Sequence, residues 1–347
     1  MPDNTRVEWV DIAKAFAIIL VVIYHTTVIG VPVGVVSAEW LGIAAKFEAF
    51  RMPVFFFAAG LFAESVIKRP WKKIWSTRIA LLVWAFLLWT VLRFIYFLLV
   101  PMETRPGETS LKWLLLAPIW PVTGLWFLHA LAYFFVLTKL IVKVPLAVKL
   151  SAAAVVSMVF FSWGIGNISY DGMARYYLFF LGGAYLREFT LERNKTPRWP
   201  LALACVVLFG LTVQALVATG MFGTFGTRTL LGVFAVITGC LVARVVEETG
   251  VRSLFVFIGK NTLPIYVTHI ILIAALSTAL GALTAGGLPE AVKHAVPVLG
   301  PIAVVSLALL AASLAKRSRV STYLFDVPDW FVQLRLPGRA TLARPVR

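Results

Sequence analysis

The sequence predicts an all-α polytopic membrane protein, a bundle of about ten transmembrane helices with both termini cytoplasmic. Three observations predict it. Hydrophobic residues make up 60% of the 347, charged residues only 14%, and the mean hydropathy is +0.89, a composition foreign to a soluble chain of this length. The apolar residues are gathered into runs of the length a bilayer core of about 30 Å requires. The third observation is where the 32 lysines and arginines fall. With the N-terminus inside, most lie in inner loops and in the C-terminal segment, which adds Lys316, Arg317, Arg319, Arg335, Arg339, Arg344 and Arg347 to Arg6 near the start. The outer loops hold only Lys46, Arg51, Arg105, Lys112, Arg175, Arg228 and Lys293. In a soluble protein a net charge of +16 would suggest nucleic acid, but here it follows membrane topology and implies no nucleic-acid partner.

In order, the expected spans cover residues 9–31, 46–67, 79–100, 124–142, 145–163, 175–189, 200–220, 227–246, 261–283 and 296–314. The first carries too many polar residues at its start for a cleaved signal peptide and is kept as a helix. The stretch LKWLLLAPIWPV, broken by Pro118 and Pro121, reads as interfacial or re-entrant. Cys205 and Cys240 sit in apolar runs and read as inert small residues. The segment 316–347 is a basic cytoplasmic tail in which Trp330 and Phe331 suit a membrane surface; a disordered tail without a task is the alternative.

Ionisable residues inside hydrocarbon are costly and mark function by default. In EWVDIAKAFAIILVVIYH, Lys14 and His25 are eleven residues apart, so at about 100° per residue they return to within about 20° of one face, and they are separated by about 16 Å along the axis. Asp11, three residues before Lys14, can pair with it, or the two serve as interfacial anchors. His25 is either a helix-to-helix hydrogen bond or a functional group, and function is the stronger reading. Depth alone brings Arg51 with Glu48, Arg93, and His129 with Trp126 toward the layer of His25; snorkelling explains Arg51 and Arg93 equally well. In GKNTLPIYVTHI, Asn261 or Thr262 can cap a helix, and exposed amides beside Lys260 offer an anion site. His269 reads equally as a bundle contact or part of a polar path. Phe55, Phe56 and Phe57 read as packing and lipid contact.

Taken together and in order, DIAKAFAIILVVIYH, FRMPVFFFAAGLF, LWFLHAL and IGKNTLPIYVTHI resemble the acyltransferase-3 family of integral membrane O-acyltransferases, whose bacterial members decorate cell-surface or exported glycans. The resemblance covers nearly all of residues 1–315, and the order of the motifs is more specific than any one of them. It implies transfer of an acyl group, acetyl foremost, from cytoplasmic acyl-CoA to a hydroxyl of a glycan or glycolipid acceptor, in the bacterial cytoplasmic (inner) membrane. The family's basic residue and histidine fall on Lys14 and His25; Lys14 stands where many members have Arg, and Ala59 where many have Ser.

On that reading His25 is the catalytic base or a transient acyl carrier, with Lys14 and Asp11 supporting it. Arg51, Arg93, His129, Trp126, Glu48 and His269 contact the acceptor or stabilise the oxyanion. Lys14, Lys72, Lys73, Lys260 and Asn261 meet the phosphates of CoA, and no metal is required. The rival from another class is a secondary transporter or exporter of a sugar or small anion, with His25, Arg51 and Arg93 along its pathway. A structural subunit of an export complex is the third reading.

Overall fold

The computed structural model describes residues 7–102, 105–284, 287–318 and 320–333, and among them every regular element is helical. In chain order the principal helices are α1 (Glu8–Gly30), α2 (Glu39–Lys46), α3 (Glu48–Gly60), α4 (Trp71–Leu99), α5 (Leu111–Leu116), α6 (Trp126–Leu140), α7 (Leu146–Ser162), α8 (Ile168–Tyr185), α9 (Trp199–Ala218), α10 (Thr227–Val246), α11 (Arg252–Lys260), α12 (Thr262–Leu283) and α13 (Glu290–Arg317). Among the described residues, six of these (α1, α4, α9, α10, α12 and α13) are long and apolar enough to cross a membrane, and α6 and α7 are shorter apolar helices. The chain is a multi-pass membrane protein. Its outward faces are apolar as lipid requires: on α9 only Ala202, Phe209 and Val213 are buried.

Three of the expected spans differ most from the helices observed. Span 46–67 is divided, because α2 ends at Lys46, α3 is only 13 residues long, and the chain turns at residues 61–63 before a further helical turn at Glu64–Ile67. The span expected at 79–100 begins at Trp71, so Lys72, Lys73 and Arg78 belong to the helix rather than to a loop. Pro70, extended at ψ 151°, starts that helix, and a π-helical turn at Trp75–Ile79 continues it. The span expected at 175–189 is α8, starting at Ile168. Polar residues that look like loop are its cap: the Asn167 side chain accepts from the amides of Ser169 and Tyr170, and Asp171 accepts from those of Ile165 and Gly166.

α1 is the axis of the bundle, packed against α3, α10, α11, α12 and α13. The close approach of α3 and α8 depends on glycine. A Cβ on Gly60 would stand 2.2 Å from the carbonyl oxygen of Phe180, and one on Gly183 would stand 2.1 Å from that of Phe57, so neither position admits alanine without parting the helices.

Arg6, Arg319 and the tail arginines from Arg335 onward lie outside the described residues. Residues 321–333, by contrast, pack along α4. The indole N–H groups of Trp75, Trp84 and Trp89 donate to the carbonyls of Val332, Tyr323 and Leu324 at 3.1, 2.7 and 2.8 Å, and Phe331 is buried beside Trp84.

Candidate active site

Two cavities lie end to end beside α1. The larger, of about 490 Å³, is lined by Asp11 and Lys14 from α1, Thr77 and Arg78 from the π-turn of α4, and Thr262 from the start of α12. Lys14 Nζ donates to Asp11 Oδ1 at 2.9 Å, and Asp11 is buried. The carboxylate holds the ammonium at the cavity wall. The π-turn matters to this cavity because its extra residue per turn shifts the register at which Thr77 and Arg78 leave the helix.

The smaller cavity, of about 220 Å³, holds His25, Glu48, Arg51 and Trp126, with Tyr24, Arg175 and Tyr176. His25 Nδ1 lies 2.9 Å from the carbonyl oxygen of Val21. An acceptor at that distance requires Nδ1 to carry the proton, which leaves Nε2 with its lone pair. The Arg51 guanidinium lies 3.8 Å over the Tyr24 ring and donates to the Ala44 carbonyl at 3.3 Å. It is 7% exposed, so it is held within the protein rather than reaching to headgroups. Glu48 accepts from the Tyr176 hydroxyl at 3.2 Å. Trp126 stacks on Tyr176, and Gly172 makes room for its indole.

The remaining candidates line neither cavity. His269 is fully buried, its ring 4.9 Å from that of His25 in an edge contact; its Nδ1 donates to the Tyr266 carbonyl, and its Nε2 has no hydrogen-bond partner among the described residues. Arg93 is also fully buried. It pairs with Glu108, which Arg105 reaches too at 3.4 Å, and its guanidinium stands directly behind Gly124, a wall residue of the smaller cavity.

His129 turns to another face of α6. Its Nε2 lies 3.2 Å from the Pro118 carbonyl and must donate, so Nδ1 accepts from the Ser169 hydroxyl at 2.9 Å. With both nitrogens committed, it joins α6 to the loop after α5 and to α8. Lys72, Lys73 and Lys260 are exposed. Asn261 does not cap α12: its side-chain amide donates backward to the Phe257 carbonyl at 2.8 Å.

Sequence reasoning missed Arg78, which it placed in a loop, and Tyr24, Arg175, Tyr176 and Tyr266. The signal for Arg78 was its spacing three and four residues before Leu81 and Leu82, which share its cavity. The tyrosines carried no signal distinct from packing aromatics.

The central helix of the bundle thus carries a basic residue and a histidine that each line a chamber of their own. The profile of the acyltransferase-3 family, described as an acyltransferase domain, matches residues 7–316, and the chain belongs to that family. It is similar to the inner membrane protein YcfT of Escherichia coli (strain K12), with 27% identity over 305 residues covering 78% of this chain and 81% of the relative. No solved structure matches.

Proposed function

We propose that this protein is a bacterial inner-membrane O-acyltransferase that moves an acyl group, acetyl foremost, from cytoplasmic acyl-CoA to a hydroxyl of a cell-surface or exported glycan or glycolipid. Both termini face the cytoplasm on this reading, so the Lys14 cavity faces the donor and the His25 cavity the acceptor. The observation that carries it is His25, its Nδ1 engaged by the Val21 carbonyl, in a small cavity that shares three wall residues with a larger one lined by Lys14 and Arg78.

Lys14 and Arg78 take the phosphates of CoA, Arg78 as a planar fork suited to phosphate oxygens. His25 Nε2 takes the proton of the acceptor hydroxyl as its oxygen attacks the thioester carbonyl. The C–O ester bond forms and the C–S bond breaks, and the imidazolium returns the proton to the departing CoA thiolate. Attack by Nε2 on the thioester, giving an acyl-imidazole that the hydroxyl then opens, uses the same atoms in two steps. Arg51, held by Tyr24 and Ala44, places fixed positive charge at the cavity where the oxyanion develops.

Thiol release from acetyl-CoA by protein purified into nanodiscs, with and without a glycan acceptor, tests the proposal. Acceptor-dependent release that disappears in His25→Gln is expected. Solute movement across proteoliposomes with no thioester cleavage would replace this reading with a transporter.

A further inference from the structure

The lining residues of the two cavities overlap in three positions, Phe55, Phe127 and Tyr266, and all three are aromatic. They come from three helices, α3, α6 and α12, and their rings form a row: the Phe55 and Phe127 centroids are 4.6 Å apart at 76°, and those of Phe127 and Tyr266 are 5.4 Å apart at 60°. Edge and tilted contacts at these separations are closed packing. Whatever passes from the Lys14 cavity to the His25 cavity passes these rings.

The row has one member pinned by hydrogen bonds and two held by packing. The Tyr266 hydroxyl donates to the Gly124 carbonyl at 2.6 Å and accepts from the Phe127 amide at 3.2 Å. That amide lies in the first turn of α6, where an N–H has no partner within its helix, so the hydroxyl satisfies a group that would otherwise be orphaned. Tyr266 is therefore a post bonded to backbone on a neighbouring element. Phe55 and Phe127 have no polar anchor and are held by packing alone, Phe127 against Phe56 at 4.6 Å.

We propose that Phe55, Phe127 and Tyr266 form a septum that sets the length of the acyl chain this protein transfers. The inference rests on the acyl-transfer reading above and concerns which donors that reading admits. Two features set the limit. The chain beyond the thioester must slip past Phe55 and Phe127 against a fixed Tyr266, and it must then share a chamber of about 220 Å³ with the acceptor hydroxyl. Short acyl groups meet both conditions. Each additional methylene is discriminated by a factor of about 10–200 in a fitted apolar pocket.

The test compares thiol release from acetyl-, butyryl- and hexanoyl-CoA by the protein in nanodiscs, with methyl glucoside as the hydroxyl probe. Wild type is expected to prefer acetyl-CoA. Phe127→Ala and Phe55→Ala are expected to raise kcat/KM for butyryl-CoA relative to acetyl-CoA by about tenfold or more, the lower end for just one of the two methylenes by which these donors differ. The milder Phe127→Leu and Phe55→Leu, which retain most of the side chain, are expected to shift the ratio in the same direction by less and serve if the alanine variants do not fold. A wild type that cleaves donors, with the same chain-length profile in all folded variants, overturns the septum and leaves acyl transfer standing. A wild type that cleaves no donor overturns acyl transfer, and the septum with it.

Discussion

The far end of α1 and the first turn of α6 each carry a histidine, and the structure holds the two in opposite ways. His25 engages one nitrogen with its own helix and lines the smaller cavity; His129 engages both, with Pro118 and Ser169, and lines neither cavity. A base needs a lone pair that a substrate can reach. The comparison teaches that in a membrane helix the useful question about a histidine is how many of its nitrogens the protein has already satisfied.

The strongest way to break this comparison is His25→Gln. Loss of a general base lowers rates by about 10²–10⁴-fold, and here thiol release from acetyl-CoA is expected to fall by that amount while the thermal unfolding of the detergent-solubilised protein stays within a degree or two of wild type. An equal loss in His129→Gln would erase the distinction. His129→Ala is expected to act on stability instead. It leaves the Ser169 hydroxyl and Pro118 carbonyl unpaired in a buried setting, at a cost of about 1–3 kcal/mol, read as a lower unfolding midpoint with kcat per folded molecule within about twofold.

The two cavities extend the contrast. Arg78→Ala is expected to raise KM for acetyl-CoA by about tenfold, the effect of losing one charge-assisted contact of about 1.4 kcal/mol, with kcat much less affected. Removing Lys72 and Lys73 together, which lie on the same helix outside the cavity, is expected to change KM by less than about twofold at physiological salt, because neither side chain lines the cavity that Arg78 lines. A larger effect for the lysine pair than for Arg78 would move the phosphate site from the π-turn to the exposed first turn of α4.

Much of the candidate site was legible because α1 is a single uninterrupted helix. Eleven residues of regular helix relate Lys14 to His25 whatever surrounds them, and the i to i+3 spacing brings Asp11 to Lys14. Depth was the only coordinate available for the other helices, and depth leaves rotation about the axis free. His129 and Arg93 show the consequence: one faces α8, the other closes an ion pair with Glu108 from a connecting loop. Hydropathy also misplaced boundaries where capping uses polar residues, as Asn167 and Asp171 do at α8. Phe55 read as packing, and it is packing; that it is also part of a wall between two chambers depends on Phe127 and Tyr266, which are distant in the chain.

By itself the sequence determined that this chain is helical and membrane-embedded, and that one face of its first helix carries a histidine about 16 Å along the axis from a lysine, because composition, run length and helical periodicity are local properties of the chain. The tertiary structure alone decided which ionisable groups open into cavities, which are consumed in holding helices together, and that the two cavities meet at three aromatic rings. Those outcomes depend on the rotation and spacing of helices, set by contacts such as Gly60 with Phe180 and Gly183 with Phe57 between residues more than a hundred positions apart, and nothing local in the chain encodes them.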